Sequence, residues 1–234
     1  MSLTKSVIAP LVKGAAGESY SRKKGDDIED KLDSMSDAVQ NSLKQEFGSA
    51  GTSLNQVARA FRVIGERGDW KKGTTNVDIG GGRFDKASEY LKDTYGVENL
   101  VFDPFNRDAE SNRKIAERVR DNKVDTVTCN NVLNVIKEKE SRANVILQAA
   151  KAIKEDGTAY FSVYEGNKSG EGKQSKDDCW QNNRHTKDYV SEVEEYFEDV
   201  ALKNGVITAK SPKATDELSV WATDASYEDV VKFS

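Results

Sequence analysis

Apolar side chains recur along the chain with two periods. From residue 28 the positions Ile28, Leu32, Met35, Val39, Leu43 and Phe47 are spaced by four or three. That spacing predicts one apolar stripe on an amphipathic helix. Asp26 and Asp27 stand at its start, where the helix dipole favours anions, and Gly48 follows its end. Such a helix packs on a domain, forms a homodimer seam or covers a site. GSAGTS at 48–53 reads as a linker or turn. A second helix is expected over 53–66, capped by Ser53, with Leu54, Val57, Phe61 and Ile64 on one face.

From Thr74 the pattern changes to short apolar strands separated by helices. TTNVDI at 74–79, NLVF at 99–102, VDTVTCNNVL at 124–133 and TAYFSVY at 158–164 read as strands. Helices are expected over 84–94, 108–121, 138–154 and 187–197. VITA at 206–209 and LSVWAT at 218–223 close the series as an antiparallel pair. Strands alternating with helices predict an α/β fold, a Rossmann-like, mostly parallel sheet with an antiparallel C-terminal strand and helices on both faces. Residues 1–25, rich in Gly, Ser, Ala and Lys, read as a mobile arm. The expected division is residues 1–52, an arm plus amphipathic helix, and residues 53–234, the α/β domain.

Composition narrows the function classes. The chain has 234 residues, 36% apolar and 32% charged, with a net charge of −5 and a pI near 5.2. That balance disfavours a sequence-nonspecific nucleic-acid binder without excluding a local basic patch. No apolar stretch is long enough for a membrane span or a secretory signal. Two cysteines fifty positions apart and one histidine give neither a disulfide framework nor a metal site. A reducing cytoplasm is the expected location.

The chemistry is expected where the first strand ends. Asp78-Ile79-Gly80-Gly81-Gly82 places a carboxylate before a run of glycines, and the following helix offers free N–H groups. The second strand ends in Asp103, 21 residues past Gly82. A carboxylate there can accept from a ribose diol. The dinucleotide fingerprint is incomplete, because Asp85 stands where its third glycine belongs and would repel a pyrophosphate. An acid at the strand–loop junction suits a cationic ligand such as S-adenosylmethionine.

NVDIGGGRFD resembles motif I of the class I S-adenosylmethionine-dependent methyltransferases, and LVFDPFNR resembles their motif II. VDTVTCNNVLNVI and EDGTAYFSVYEG resemble their fourth and fifth strands. The resemblance covers roughly residues 70–165. NNVLNVI with the charged helix after it further resembles phage-encoded and DNA phosphorothioation-associated methyltransferases. The resemblance implies S-adenosylmethionine as cofactor and a seven-stranded sheet. It implies that Gly80, Gly81 and Gly82 line the cofactor with Asp78 beside it, that Asp103 holds the ribose and that Asn130 and Asn131 face the methyl donor. Between Asp103 and Asp125 there is little room for the usual third strand. Either that strand is vestigial or the sheet is short at that edge, and Phe105 is placed to cover the adenine.

The acceptor side is less determined. CNNVL carries neither the amino-directed DNA motif nor a Pro-Cys nucleophile, so base methylation of either standard DNA kind is disfavoured. Glu165 is a candidate to bind an acceptor amine. His185, the one side chain with an unperturbed pKa near neutrality, is the default general base, against the alternative of an exposed or capping histidine. Asn131 completes the catalytic candidates. Trp180 either packs on the core or walls the acceptor pocket, and residues 166–185 read as a substrate lid or a solvated loop. Arg59 is either a solvated helix charge or a ligand of the cofactor's carboxylate. The leading reading is a methyltransferase with an unidentified acceptor. The alternatives are a noncatalytic S-adenosylmethionine-binding partner module and an NAD-dependent oxidoreductase.

Overall fold

The computed structural model describes residues 45–223, 225 and 230–233. The arm at 1–25 and the stripe from Ile28 to Leu43, with the homodimer seam it offered, lie outside them. Six strands form the main sheet in the order β2-β1-β3-β4-β8-β7. These are β1 (Thr75–Ile79), β2 (Glu98–Phe102), β3 (Val124–Asn130), β4 (Ile153–Ser162), β7 (Phe197–Lys203) and β8 (Val206–Pro212). The first four are parallel, and β8 runs antiparallel to both β4 and β7. The chain moves outward from β1 to β2 and returns to β3 on the other side. The switch point therefore lies between the carboxyl ends of β1 and β3, where an open α/β sheet leaves a crevice.

Helices cover both faces. On one, Val77, Val127, Phe161 and Ile207 pack with Ala116, Ile146 and Val193. Those three belong to α3 (Ala109–Asp121), α4 (Lys139–Ala152) and α5 (Val190–Glu194). On the other, Tyr160 and Val206 pack with Phe61, Ile64, Trp70 and Leu91, from α1 (Arg59–Glu66), α2 (Lys86–Tyr95) and the turn between α1 and β1. Neighbouring residues such as Tyr160 and Phe161 serve opposite faces, the alternation expected of a strand buried on both sides. None of the helices among the described residues is long and apolar enough to cross a membrane.

Several elements differ from the pattern's prediction. The helix expected from Ser53 starts at Arg59, and the Ser53 hydroxyl accepts instead from Arg83 N at 3.1 Å. The expected helix at 187–197 is a 3-10 turn at Thr186–Tyr189 followed by the single turn of α5. The stretch at 166–185 contains a hairpin of β5 (Lys173–Lys176) and β6 (Cys179–Gln181). The antiparallel end of the main sheet comes from β7 and β8, not from 206–209 paired with 218–223. FEDVALK buries only Phe197, so this edge strand carries no apolar alternation to read. Residues 219–222 form β9 (Ser219–Ala222), which pairs with β10 (Val230–Phe233) in a separate ribbon. Among the described residues the sheet has six strands rather than seven: β2 is its edge, and α3 alone bridges β2 to β3.

The ribbon is anchored through its side chains. Trp221 is fully buried and meets the Phe102 ring edge-on at 4.6 Å. Asn144 and Gln148 of α4 both donate to the Val220 carbonyl, and Asn112 of α3 donates to that of Thr223. Trp221→Ala should cost about 3–5 kcal/mol, the usual loss for truncating a buried aromatic. A fall of that size in urea-unfolding free energy checks it, and a cost below about 1 kcal/mol would show the ribbon to be peripheral.

Candidate functional site

The carboxyl ends of β1, β2 and β3 open into a cavity of about 690 Å³, within the range of small-molecule sites. Its floor is the glycine loop. Gly80 and Gly82 adopt φ of 70° and 78°, where side chains are strained. A Cβ on Gly80 would collide with Val132, and one on Gly82 with the Ser53 hydroxyl. A Cβ on Gly81 would stand 2.6 Å from Asp78 Oδ2. Only glycines let this turn lie flush under a ligand.

Asp103 holds the loop in place. One of its oxygens accepts from Gly82 N at 2.9 Å, and the other from Phe105 N and Asn106 N at 3.0 Å each. Burial raises its pKa, and these backbone donors pull it back, leaving it above the usual carboxylate range. Arg107 adds a second tie, with Nε on Gly82 O at 2.8 Å and an ion pair to Asp85.

Asp78 is the other buried acid that lines the cavity, 3% exposed. Thr128 donates to its Oδ1 at 2.7 Å, Asn76 donates to the Thr128 hydroxyl at 2.9 Å, and Thr126 donates to Asn76 at 2.8 Å. These residues alternate with the apolar ones on β1 and β3, so the sheet carries a buried polar row leading to the site. Burial dominates and raises the Asp78 pKa to about 7; Asp103 adds to the rise, while Thr128, Asn130 and the more distant Arg107 oppose it. No cation forms an ion pair with it among the described residues. A buried carboxylate in that position is satisfied by a cationic ligand.

The sequence-predicted residues divide into two groups. Asp78, Gly80, Gly81, Gly82, Asp103, Phe105, Asn130 and Asn131 all line the cavity. Asn131 is left-handed at φ 59° and extends the β3–β4 pairing by donating to Ser162 O. Arg59, Glu165 and His185 do not line it. Arg59 donates to the Asn204 carbonyl. Glu165 accepts from the Thr186 amide and hydroxyl, both at 2.8 Å, and pairs with Lys168. The Thr186 bonds bring its pKa down to about 2, so it serves as a fixed anion. His185 opens the 3-10 turn, its Nδ1 3.5 Å from Glu165. Among the described residues, no cluster of His, Cys, Asp and Glu is arranged to hold a metal.

Other parts of the wall were not legible beforehand. GSAGTS is part of the cavity wall, crossing between the glycine loop and the β5–β6 hairpin. Gly48 N and Ser49 N donate to the side chain and backbone of Asp178 at 2.9 and 2.8 Å. Phe47 stacks on Trp180 at 5.3 Å, with the Lys137 ammonium over both rings. At the far end, Arg83 grips Ser53 Oγ and Ala50 O. Ser141, Asn144 and Gln148 of α4 line the cavity's inner end. The small residues of GSAGTS were the one available signal, since only small side chains fit a strap pressed against Phe105 and Cys179.

No protein-family model matches the chain, and no curated protein does. Solved structures do match it. The S-adenosylmethionine-dependent methyltransferase SibL, in its apo form, is 17% identical over 66% of this chain and 55% of its own, with a TM-score of 0.43. A TehB-like SAM-dependent methyltransferase from Corynebacterium glutamicum is 13% identical over 82% of this chain and 100% of its own, with a TM-score of 0.39. MtNAS in complex with MTA and tNA is 14% identical over 65% of this chain and 59% of its own, with a TM-score of 0.38. In five of the matches the shared part is 46% to 61% of the other chain's length. Likeness this distant says nothing about activity.

The buried acid makes stability depend on pH. With a folded pKa near 7 and an ordinary unfolded value of 3.8, the folded state holds a proton that the unfolded state releases between those values. The contribution of Asp78 to stability is therefore best near pH 4, falls as pH rises to 7 and is flat above, a loss of at most about 4 kcal/mol. Asp78→Asn should be more stable than the wild type at pH 8, with the gain shrinking toward pH 5. A gain independent of pH in denaturant titrations would refute the raised pKa.

Proposed function

We propose that this protein binds S-adenosylmethionine at the carboxyl ends of β1, β2 and β3 and transfers its methyl group to an acceptor molecule. The observation that carries the reading is Asp78: a buried carboxylate without an ion-pair partner among the described residues, beneath a glycine loop, in a cavity of ligand size. The ligand that suits it brings positive charge, as the sulfonium and ammonium groups of S-adenosylmethionine do. A pyrophosphate-bearing dinucleotide would add anions beside Asp78 and Asp85, which disfavours the oxidoreductase alternative. The motif resemblance at 76–85 and 100–107 supports the same cofactor. The narrower likeness to phage-encoded and DNA phosphorothioation-associated methyltransferases rests on NNVLNVI and the charged helix after it.

The residues fit that ligand in distinct ways. The glycine loop gives its backbone close approach to the ligand, and Asp78 faces its cation. Asp103 is first a brace, because three backbone N–H groups already occupy its oxygens; holding a ribose diol requires one of them to yield. Phe105 and Val145 of α4 provide apolar cover for a base. Asn130 and Asn131 stand over β3, next to the β1 loop, where the methyl group would lie. We assign no step to Arg59, Glu165 or His185, which stand outside the cavity.

Calorimetry with S-adenosylmethionine and its demethylated product tests the reading. Both should bind, more tightly at pH 8 than at pH 6, with proton release when titrated near pH 7, because a cationic ligand demands the ionised Asp78. Asp78→Asn should weaken binding by about 1.5–3 kcal/mol and remove the proton release. Absence of binding by the folded protein, or affinity that rises as pH falls, would sink the proposal.

A further inference from the structure

The proposed donor leaves one side of the cavity unassigned, and that side has chemistry of its own. The glycine loop and Asp103 sit on β1 and β2, whereas β3 and β4 lie on the other side of β1. Over β3 and β4 the wall is formed by Asn131, Asn134, Tyr164 and Gln181, and Leu54, the residue after the strap, lines the same cavity.

Asn134 is 2% exposed, and its orientation is fixed by its neighbours. The Tyr164 carbonyl can only accept, so Gln181 must turn its Nε2 toward it, at 2.9 Å. Gln181 Oε1 then accepts from Asn134 Nδ2 at 3.0 Å. Asn134 lines the cavity, and its buried Oδ1 is left with no donor among the described residues. The loop cannot easily turn it away. Asn182 N donates to the Asn134 carbonyl, and the Asn182 amide bridges the carbonyls of Leu133 and Ile136. An unsatisfied buried acceptor is unfavourable, so the site calls for a ligand N–H or O–H.

The rim is apolar and open. Among the described residues three large apolar side chains are exposed, and two of them, Leu54 at 64% and Tyr164 at 65%, stand on this cavity. Its charged lining residues are Asp78 and Asp103 at the donor end and Lys176 on the hairpin. The acceptor side thus presents no carboxylate, among the described residues, to pair an alkylammonium or take a proton.

We propose, on the basis of the cofactor reading above, that the methyl acceptor is a small amino-substituted nitrogen heterocycle, methylated on a ring nitrogen. Its exocyclic N–H donates to Asn134 Oδ1, and its ring lies against Tyr164 and Leu54. The ring nitrogen already carries a free lone pair at neutral pH. That pair forms the new bond to the methyl carbon as the carbon–sulfur bond breaks. The electrons of the broken bond stay on sulfur, the positive charge passes to the ring, and no proton moves. A site with no base on this side suffices for that step.

The test is calorimetry of the full chain, loaded with the demethylated cofactor, against 3-aminopyridine and pyridine, followed by mass spectrometry of products with S-adenosylmethionine. The aminopyridine should bind about tenfold more tightly than pyridine, and Asn134→Leu should abolish that preference. Tyr164→Ala, a surface change that leaves the core intact, should weaken both probes several-fold while cofactor affinity stays constant. The product should be the N-methylpyridinium. Equal affinity for the two probes, or methylation of catechol or benzylamine with none of the aminopyridine, would overturn the proposal. If the demethylated cofactor itself fails to bind, the cofactor reading is at fault and this inference falls with it.

Discussion

One carboxylate braces the whole crevice. Asp103 directly follows β2, yet it collects the backbone N–H groups of Gly82, Phe105 and Asn106. It thereby fastens the loop after β1 to the loop after β2. Both loops would otherwise be short connections with exposed amides, free to adopt other turns. Fastened, they set the floor of the cavity and the entry of the chain into α3, where Asp108 caps Ser111 N. The brace is charge-assisted and nearly dry, so it is worth more than a surface contact.

The second buried acid works in the opposite sense. Asp103 is satisfied by the protein, while Asp78 is only partly satisfied, by a row of side chains that lead away from the ligand side. Thr128, Asn76 and Thr126 orient their donors in one direction, toward Asp78. Two acids a short distance apart thus have different work, one structural and one held ready for an incoming charge. Their mutual repulsion is part of what raises Asp78.

What the sequence revealed and what it concealed follow from range. The glycine run, Asp78, Asp103 and the alternation of parallel strands with helices depend on local turn chemistry and on patterns within a few residues, and these were legible. Ser53 was misread because a small polar residue before an apolar run looks like a helix cap, and its true partner, Arg83 N, is thirty positions away. The hairpin at 173–181 was hidden because Lys173–Lys176 is exposed throughout and has no apolar face. Asn134 sits inside an apolar run, where nothing local reveals that a tyrosine carbonyl two strand-ends away decides which of its atoms is left over.

The clasp between the strap and the hairpin has a consequence in time as well as in space. Gly48 and Asp178 are 130 positions apart, so joining them closes a very long loop, an entropic cost met late. The parallel strands can pair through neighbouring βαβ units, which are local and form early. During synthesis β1 to β4 and the glycine loop can therefore pair before the wall opposite them forms. A ligand met at that stage would enter an open crevice and be enclosed as residues 178–180 emerge and capture the strap. Ligand capture and the closing of this wall would then be a single event.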